Sequence, residues 1–318
     1  MKDHRIITNG AHPMALEVDS LSKSYKNVQA VDDISFEVNR GDVFAFLGPN
    51  GAGKTTTLRI LLDIIKADSG TVKWYLNGGS HKYPEPEQLG YLPEERGLYL
   101  DIPILKSLVY LASIRGMNKT HARKSALDWL ERLGLADRAH EKLQVLSKGN
   151  QQKVQFVASI LHKPVFAIID EPFSGLDPLN QELFIGYIKE INSQGTTMII
   201  SAHQMSLIEK IANKVLLINR GQQLFCGSLS ELYKTYGVKR IFSLQFESPV
   251  NKGTMEGLPG IEQVNYKDDC SADLTFALSA DMKQVFNGLT SIEGICDINS
   301  HKPSLHDVFL QLVKTHNE

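Results

Sequence analysis

Residues 48–56 read GPNGAGKTT and fit the pattern G-x-x-x-x-G-K-[ST], with Lys54 and Thr55 at its polar positions. The apolar run DVFAFLG before them indicates a buried strand, and KTTTLRILLDII indicates a helix that continues to Ile65. A turn between a strand and a helix presents backbone N–H groups and the positive end of the helix dipole to a phosphate. We therefore predict that Lys54 reaches the β- and γ-phosphates of a nucleotide, and that the Thr55 hydroxyl is a ligand of Mg²⁺.

The whole turn, called the phosphate loop below, is assigned to the predicted nucleotide site because its backbone would line that site. Glycine supplies the backbone conformations and the clearance that other side chains would prevent. The residues assigned are Gly48, Pro49, Asn50, Gly51, Ala52, Gly53, Lys54, Thr55 and Thr56.

A second apolar run, VFAIIDEP at residues 165–172, contains two adjacent carboxylates. Asp170 and Glu171 would follow a buried strand and would lie at the carboxyl edge of the sheet, beside the phosphate loop. The pair alone is equally typical of a solvated strand end, but its position after a phosphate loop favours a site. We predict that Asp170 holds Mg²⁺, directly or through water, and that Glu171 polarises the attacking water.

The run TTMIISAH at residues 196–203 indicates another buried strand, which is followed by His203. A lone histidine is more often structural. Here it follows a strand that would adjoin the predicted phosphate site, where an imidazole can hydrogen-bond a γ-phosphate and the attacking water. His203 is therefore predicted to be a catalytic residue together with Glu171.

The stretch LSKGNQQKVQ at residues 146–155 predicts the start of a helix with Ser147 as its N-cap. Its first turn contains Lys148 and no acidic residue. A cation at this end of a helix opposes the helix dipole and costs on the order of 0.3–1 kcal/mol. The helix start is therefore expected to face an anion, although a solvated surface lysine is the alternative.

The composition of the chain excludes several classes of protein. It has 318 residues, a formal net charge of −2 and 42% hydrophobic residues, which is ordinary for a globular protein and gives no general attraction to nucleic acid. The three scattered cysteines are typical of a reduced protein. No run of 18 apolar residues occurs and the start of the chain is polar, so we expect neither a membrane span nor a signal peptide.

The order of apolar runs divides the chain into three predicted parts. Residues 1–13 form a polar extension, and residues 14–235 alternate strands with helices, which predicts a largely parallel sheet. A mostly helical region is predicted at about residues 84–163. Residues 236–318 show alternating strands and two amphipathic helices, which predicts a small α+β domain.

Five motifs in this order resemble the ATP-binding subunit of ABC transporters: the phosphate loop, LSKGNQQ, DEP, SGLD and SAH. The resemblance covers residues 14–235. It implies an α/β fold of the ABC type of P-loop NTPase, with a mixed sheet core and a helical subdomain, plus the small C-terminal α+β domain. It also implies hydrolysis of ATP with Mg²⁺, and a homodimer that sandwiches ATP head to tail.

The resemblance assigns further residues to the nucleotide. Tyr25 matches an aromatic residue that stacks on adenine, with an ordinary strand aromatic as the alternative. The signature turn, defined here as residues 147–150, would face the γ-phosphate bound by the partner subunit, and the SGLD loop with Asp177 would run between the two sites. The members of the signature turn are Ser147, Lys148, Gly149 and Asn150.

Two motifs depart from the usual pattern of the family. Lys148 and Asn150 replace a glycine and a glutamine of the signature. In GYLPEERGLY, Glu94 stands where the family commonly has a glutamine that senses Mg²⁺ and touches the membrane subunit. A carboxylate can still be a ligand of Mg²⁺, so Glu94 is retained as a predicted metal ligand.

The predicted function is hydrolysis of ATP that powers export through a separate membrane-spanning permease, with the chain peripheral on the cytoplasmic face of the membrane. KPSLHDVFLQLV at residues 302–313 resembles the closing helix of an accessory domain on exporter-type ATPases. A regulatory ATPase that signals through a membrane partner is one alternative. A soluble ABC ATPase acting on ribosomes or DNA is another, but the chain has one ATPase domain, no basic run and no long coiled coil, so no nucleic-acid partner is expected.

Overall fold

The computed structural model describes residues 14–76, 80–95, 97–236, 239–251, 253, 255–277, 280–301 and 303–317. The predicted polar extension, residues 1–13, lies outside the described residues.

A nine-stranded mixed sheet organises the first part of the chain, in the order β4-β1-β2-β9-β8-β3-β7-β6-β5. Strands β3, β5, β6, β7 and β8 are joined by parallel pairing, whereas β1 pairs antiparallel with β2 and β4. The mixed sheet core predicted from the sequence is therefore confirmed. The strands are β1 (Met14–Tyr25), β2 (Val28–Asn39), β3 (Val43–Leu47), β4 (Ser69–Trp74), β5 (Leu89–Leu92), β6 (Phe166–Asp170), β7 (Thr197–Ala202), β8 (Lys214–Asn219) and β9 (Gln222–Ser228).

The three central strands β3, β6 and β7 are buried at every residue. This is the pattern expected of parallel strands that are covered on both faces, and it explains why their sequences are continuous apolar runs. Because they are parallel neighbours, their carboxyl ends meet at one edge of the sheet. That edge brings the phosphate loop, Asp170 and His203 together.

Helices alternate with the strands in the first part of the chain. Between β5 and β6 the described residues contain three α-helices, which correspond to the predicted helical subdomain. The helices up to β8 are α1 (Lys54–Leu61), α2 (Ile104–Ile114), α3 (Lys119–Arg132), α4 (Lys148–Ile160), α5 (Pro178–Ser193) and α6 (Met205–Ile208).

One local prediction was incomplete and one was wrong. β5 lies within the region predicted to be mostly helical, because a four-residue apolar run in a sheet covered on both faces carries no period of its own. The first helix ends at Leu61 rather than continuing to Ile65, since Asp63 has a positive φ of 56° that an α-helix does not accommodate. Leu62 and Ile65 nevertheless pack against the core beyond the helix end.

The chain divides into two compact units, one up to Gly227 and one from Ser228 to Glu318. The second unit begins with α7, whereas the sequence predicts the domain boundary after this helix. Its antiparallel sheet has the order β11-β12-β10-β13. Its elements are α7 (Leu229–Thr235), β10 (Lys239–Phe246), β11 (Ile261–Asp268), β12 (Ser271–Ala277), α8 (Met282–Leu289), β13 (Ile295–His301) and α9 (Leu305–Asn317).

One face of the second sheet carries the core of this unit. Phe242, Leu244 and Phe246 alternate along β10 and pack with β12 and with Val285 and Leu289 of α8. The predicted C-terminal α+β fold is thus confirmed.

Candidate nucleotide-binding site

The phosphate loop connects β3 to α1, and two of its glycines are required by close backbone approaches. A Cβ on Gly48 would lie 2.2 Å from the carbonyl oxygen of Ile218. A Cβ on Gly53 would lie 2.2 Å from the carbonyl oxygen of Ala30, and Gly53 has a φ of +105°. Any other side chain at these positions would push the loop away from the strands beneath it.

The Lys54 side chain folds back over the phosphate loop. Its Nζ donates hydrogen bonds to the carbonyl oxygens of Gly48, at 2.7 Å, and Pro49, at 3.2 Å. Burial lowers the pKa of Lys54, because a desolvated ammonium group is less stable than in water. Three carboxylates oppose this shift and raise the pKa of Lys54: Glu171, Asp170 and Glu94.

Asp170 is the last residue of β6 and is buried. Ser201 of β7 donates a hydrogen bond from its hydroxyl to Oδ1 of Asp170. Burial raises the pKa of Asp170, while the hydroxyls of Ser201 and Thr55 lower it. Oδ2 of Asp170 is also buried and has no hydrogen-bond partner among the described residues.

The unpartnered Oδ2 is an observation that fits Mg²⁺. A buried carboxylate oxygen without a partner is costly, and hard cations prefer oxygen ligands of this kind. The Thr55 hydroxyl lowers the pKa of the same carboxylate. The donor set predicted from the sequence, Thr55 with Asp170, therefore suits the cation.

Glu171 follows β6 in a left-handed backbone conformation, with a φ of +50°. Its backbone N–H donates to the carbonyl and hydroxyl oxygens of Ser201, both at 3.1 Å, which fixes this uncommon conformation. Its Oε2 lies 2.8 Å from Nδ1 of His203. Burial raises the pKa of Glu171, and the charge of His203 and then that of Lys54 oppose the shift.

The signature turn begins α4 as the sequence predicts. The Ser147 hydroxyl accepts a hydrogen bond from the backbone N–H of Asn150, at 3.4 Å, which confirms Ser147 as the N-cap. A Cβ on Gly149 would lie 3.1 Å from the carbonyl oxygen of Gly175, in the SGLD segment. The Lys148 side chain is exposed and makes no hydrogen bond or ion pair within the described part of the chain.

The predicted site residues fall into two groups. The phosphate loop, Asp170, Glu171, His203 and Glu94 are joined by hydrogen bonds or by their charge on Lys54. In the ranges that the structure describes, no hydrogen bond or ion pair links the signature turn to the phosphate loop.

Two predicted residues lie away from these contacts, and Glu94 joins them only through its charge on Lys54. Tyr25 ends β1, is 46% exposed and has Nζ of Lys23 at 5.6 Å from its ring centroid. Asp177 is the N-cap of α5, where its side chain accepts from the backbone N–H of Asn180 at 3.0 Å. Glu94 is exposed in the loop after β5. The roles predicted for these residues stay predictions.

Three buried polar side chains at the site escaped the sequence analysis. Ser201 contacts both Asp170 and Glu171. The feature that could have revealed it is a hydroxyl within an otherwise apolar strand. Gln152 and Gln155 lie on α4 beyond the signature turn and are buried. The feature that could have revealed them is the presence of amides among the apolar positions of the helix.

Comparisons with known proteins agree with this geometry. The profile described as ABC transporter matches residues 31–174, and the profile described as ATP-binding protein DrrA1-3-like, C-terminal domain, matches residues 227–313. A phosphate loop, a strand ending in Asp-Glu and a signature turn on one mixed sheet define an ABC-type ATPase. The chain belongs to the family of ABC transporter ATP-binding proteins, which bind and hydrolyse ATP.

Individual relatives share most of the chain. The uncharacterised ABC transporter ATP-binding protein YhaQ of Bacillus subtilis is 35% identical over 298 residues, which cover 94% of this chain and 98% of YhaQ. The linearmycin resistance ATP-binding protein LnrL of the same species is 30% identical over 252 residues, 79% of this chain and 80% of LnrL. A solved ATP-binding subunit of an ABC transporter superposes with a TM-score of 0.64 and 28% identity, over 70% of this chain and 93% of that structure.

These findings confirm the family, the fold and the ATPase activity predicted from the sequence. No helix in the described ranges is both long and apolar enough to cross a membrane.

Proposed function

We propose that this ATPase powers export of a substrate through a separate membrane-spanning permease, and that two copies of the chain act together at its cytoplasmic face. The observation that carries the proposal is that the signature turn makes no hydrogen bond or ion pair with the phosphate loop among the described residues of one chain. The carboxylates and Lys54 form one group, while the signature turn presents Lys148 to the outside with no partner among the described residues. A second copy placed head to tail would bring the two groups together across one ATP.

The phosphate loop would bind the β- and γ-phosphates. Lys54 already lies against the loop carbonyls, and a phosphate would replace those oxygens with stronger, charge-assisted acceptors. Three neighbouring carboxylates raise the pKa of Lys54 and so oppose the effect of its burial. The chain therefore supplies a positive charge where phosphoryl transfer needs one.

Asp170 and Thr55 would hold Mg²⁺, with Glu94 as a further ligand. When bound, the ion would neutralise charge on the phosphate oxygens. Ser201 orients the Asp170 carboxylate by donating to Oδ1, which leaves Oδ2 available for the cation.

Glu171 and His203 would act on the attacking water. The Glu171 backbone is held by Ser201, and its carboxylate is held at 2.8 Å by Nδ1 of His203. Burial raises the pKa of Glu171, which makes its carboxylate a stronger base than an exposed one. The other nitrogen of the His203 ring would meet the γ-phosphate or the water.

Two further residues belong to this proposal by family resemblance. Tyr25 would stack on the adenine, and its exposed ring is available for that contact. Asp177 would lie between the two ATP molecules of the dimer, where it caps α5 just beyond the carbonyl that approaches Gly149.

Two comparisons support export rather than another use of ATP: one with a named relative and one with a domain profile. LnrL is named as a resistance protein, and residues 227–313 match the C-terminal domain of a named ATP-binding protein family.

Purification with a membrane partner tests the proposal. The chain, tagged and extracted in detergent, is expected to copurify with a polytopic membrane protein, and the pair in liposomes should move a substrate only with Mg-ATP. Glu171→Gln should stop transport and lower kcat by roughly 10²- to 10⁴-fold while ATP stays bound. A pair that hydrolyses ATP at full rate without moving any substrate would instead support a regulatory ATPase.

A further inference from the structure

Helix α4 carries two buried amides on one face. Gln152 and Gln155 are 2% and 4% exposed, and a spacing of three residues places them one turn apart on the same side of the helix. Buried polar groups of this kind are retained where their hydrogen bonds are made. Each amide binds a different segment of the candidate site.

Gln155 holds the loop that carries Glu94. Its Nε2 donates to the carbonyl oxygens of Pro93 and Glu95, both at 3.1 Å. The two bonds use both N–H groups of the amide and bracket Glu94 on either side. Glu94 is thus held through the backbone of its two neighbours, while its own carboxylate stays exposed.

Gln152 holds the loop that carries the candidate base. Its Nε2 lies 3.4 Å from the carbonyl oxygen of Glu171 and 3.3 Å from that of Pro172. These bonds are longer than those of Gln155, but Glu171 is also held through its backbone by Ser201. The Glu94 loop has no comparable side-chain anchor among the described residues, so it depends more on α4.

We infer that Gln155 is a positioning residue, which places Glu94 for Mg²⁺ and ties the Glu94 loop to the helix that starts at the signature turn. This inference rests on the proposed function, because it takes Glu94 as a metal ligand. Helix α4 then connects three parts of the site: its first turn, the Glu171 loop through Gln152 and the Glu94 loop through Gln155. A shift of the helix at the signature turn moves both loops with it.

Limited proteolysis with a glutamate-specific protease tests the anchoring without reference to activity. Gln155→Met keeps the volume of the side chain but removes both donors. Cleavage after Glu94 and Glu95 in the native full-length protein should become about 5- to 30-fold faster, which corresponds to losing one or two hydrogen bonds. Gln155→Glu, which keeps the shape but donates nothing when ionised, should give the same increase.

The matched control is Gln152→Met, which makes the same change one turn earlier. It should leave cleavage after Glu94 and Glu95 at the wild-type rate. Equal rates in wild type and both Gln155 variants would overturn the inference. So would an equal increase in Gln152→Met, because that would indicate general loosening of α4.

The Mg²⁺ dependence of hydrolysis tests the consequence for Glu94. Gln155→Met should raise the Mg²⁺ concentration for half-maximal activity several-fold, whereas Gln152→Met should lower kcat without that shift. Glu94→Ala separates the two claims. If Glu94→Ala leaves the Mg²⁺ dependence unchanged, the proposed role of Glu94 is wrong; the proteolysis then still decides whether Gln155 anchors the loop.

Discussion

At the scale of single residues, the candidate site is a set of buried charges that balance one another. Burial moves Lys54, Asp170 and Glu171 each toward the neutral form, and the attraction between Lys54 and each carboxylate opposes that shift. The charge of Asp170 adds to the shift of Glu171, because like charges repel. Ser201 contributes a hydroxyl to both carboxylate residues. The chemistry therefore depends on charges that are kept in place by neutral hydrogen-bond partners.

Replacing the central cation tests this balance. Lys54→Ala should abolish hydrolysis and weaken ATP binding by about 10- to 100-fold, because hydrogen bonds to charged groups contribute roughly 1.5–3 kcal/mol. Isothermal titration with Mg-ATP measures the affinity. Lys189→Ala, at an exposed lysine of α5, is the control and should match wild type. Wild-type affinity in Lys54→Ala would contradict the phosphate-loop assignment.

The ionisation of Glu171 should respond to His203. Burial raises the pKa of Glu171 above its usual 4.5, so the folded state binds a proton more tightly than the unfolded state. This group therefore lowers the free energy of unfolding as pH rises from 4.5 to the raised pKa. His203→Gln removes the charge that opposes the shift, and the pKa of Glu171 should rise further.

Carboxyl ¹³C NMR of labelled glutamate, assigned with Glu171→Gln, measures that pKa directly. The acid limb of the pH–rate profile should lie above the usual glutamate range in wild type, and should move to higher pH in His203→Gln wherever activity remains. A Glu171 pKa that is unchanged or lower in His203→Gln would show that the imidazole does not act on this carboxylate.

At the scale of elements, α4 has a first turn that is electrostatically unfavourable and a buried face whose polar side chains are hydrogen-bonded. Ser147 caps the helix, yet Lys148 stands in the first turn against the dipole. On the buried face of the helix, by contrast, Gln152 and Gln155 donate hydrogen bonds to backbone carbonyl oxygens of two loops. A helix with these properties is suited to a role between subunits rather than to maximal stability of one.

Charge reversal at the helix start separates these roles. Lys148→Glu should leave ATP binding by the single chain unchanged and should hold or raise the Tm, since the dipole favours an acid there by a few tenths of a kcal/mol. ATP-driven dimerisation and turnover should be impaired. Light scattering after gel filtration and steady-state hydrolysis measure both effects.

Lys124→Glu makes the same charge change on an exposed position of α3 and serves as the matched control. It should dimerise and turn over as wild type does. Full turnover in Lys148→Glu would show that Lys148 is a solvated surface residue.

At the scale of the whole molecule, each compact unit has its own hydrophobic core. Phe44, Phe46 and Phe166 belong to the core of the first unit, while Phe242 and Phe276 belong to that of the second. All candidate catalytic residues lie in the first unit. Its sheet is complete at Ser228, where β9 ends.

A chain truncated after Ser228 is therefore expected to fold and to bind Mg-ATP with the affinity of the full chain. The nine strands and the phosphate loop remain, and the core of the second unit is removed as a whole. Circular dichroism melting and isothermal titration measure the outcome, with the full chain as reference. An insoluble truncated chain, or one that binds no ATP, would show that the first unit depends on the second.

The sequence by itself determined the nucleotide chemistry, because the relevant patterns are local. The phosphate loop between a strand and a helix, the Asp170–Glu171 pair and the Ser147 cap are each written within a few consecutive residues. Continuous apolar runs likewise predicted the central strands, and alternation predicted the β-strands of the second unit. Family resemblance then added residues such as Tyr25 and Asp177, whose roles no contact yet tests.

Only the tertiary structure decided which distant segments meet. Gln155 and Pro93 are 62 positions apart, and Ser201 and Asp170 are 31 apart. The acceptors of Gln155 are backbone carbonyls, which every residue possesses, so the sequence of the Glu94 loop carries no mark of the contact. β5 was missed for a related reason: its place in the sheet is fixed by its parallel partner β6, and four apolar residues do not specify that pairing.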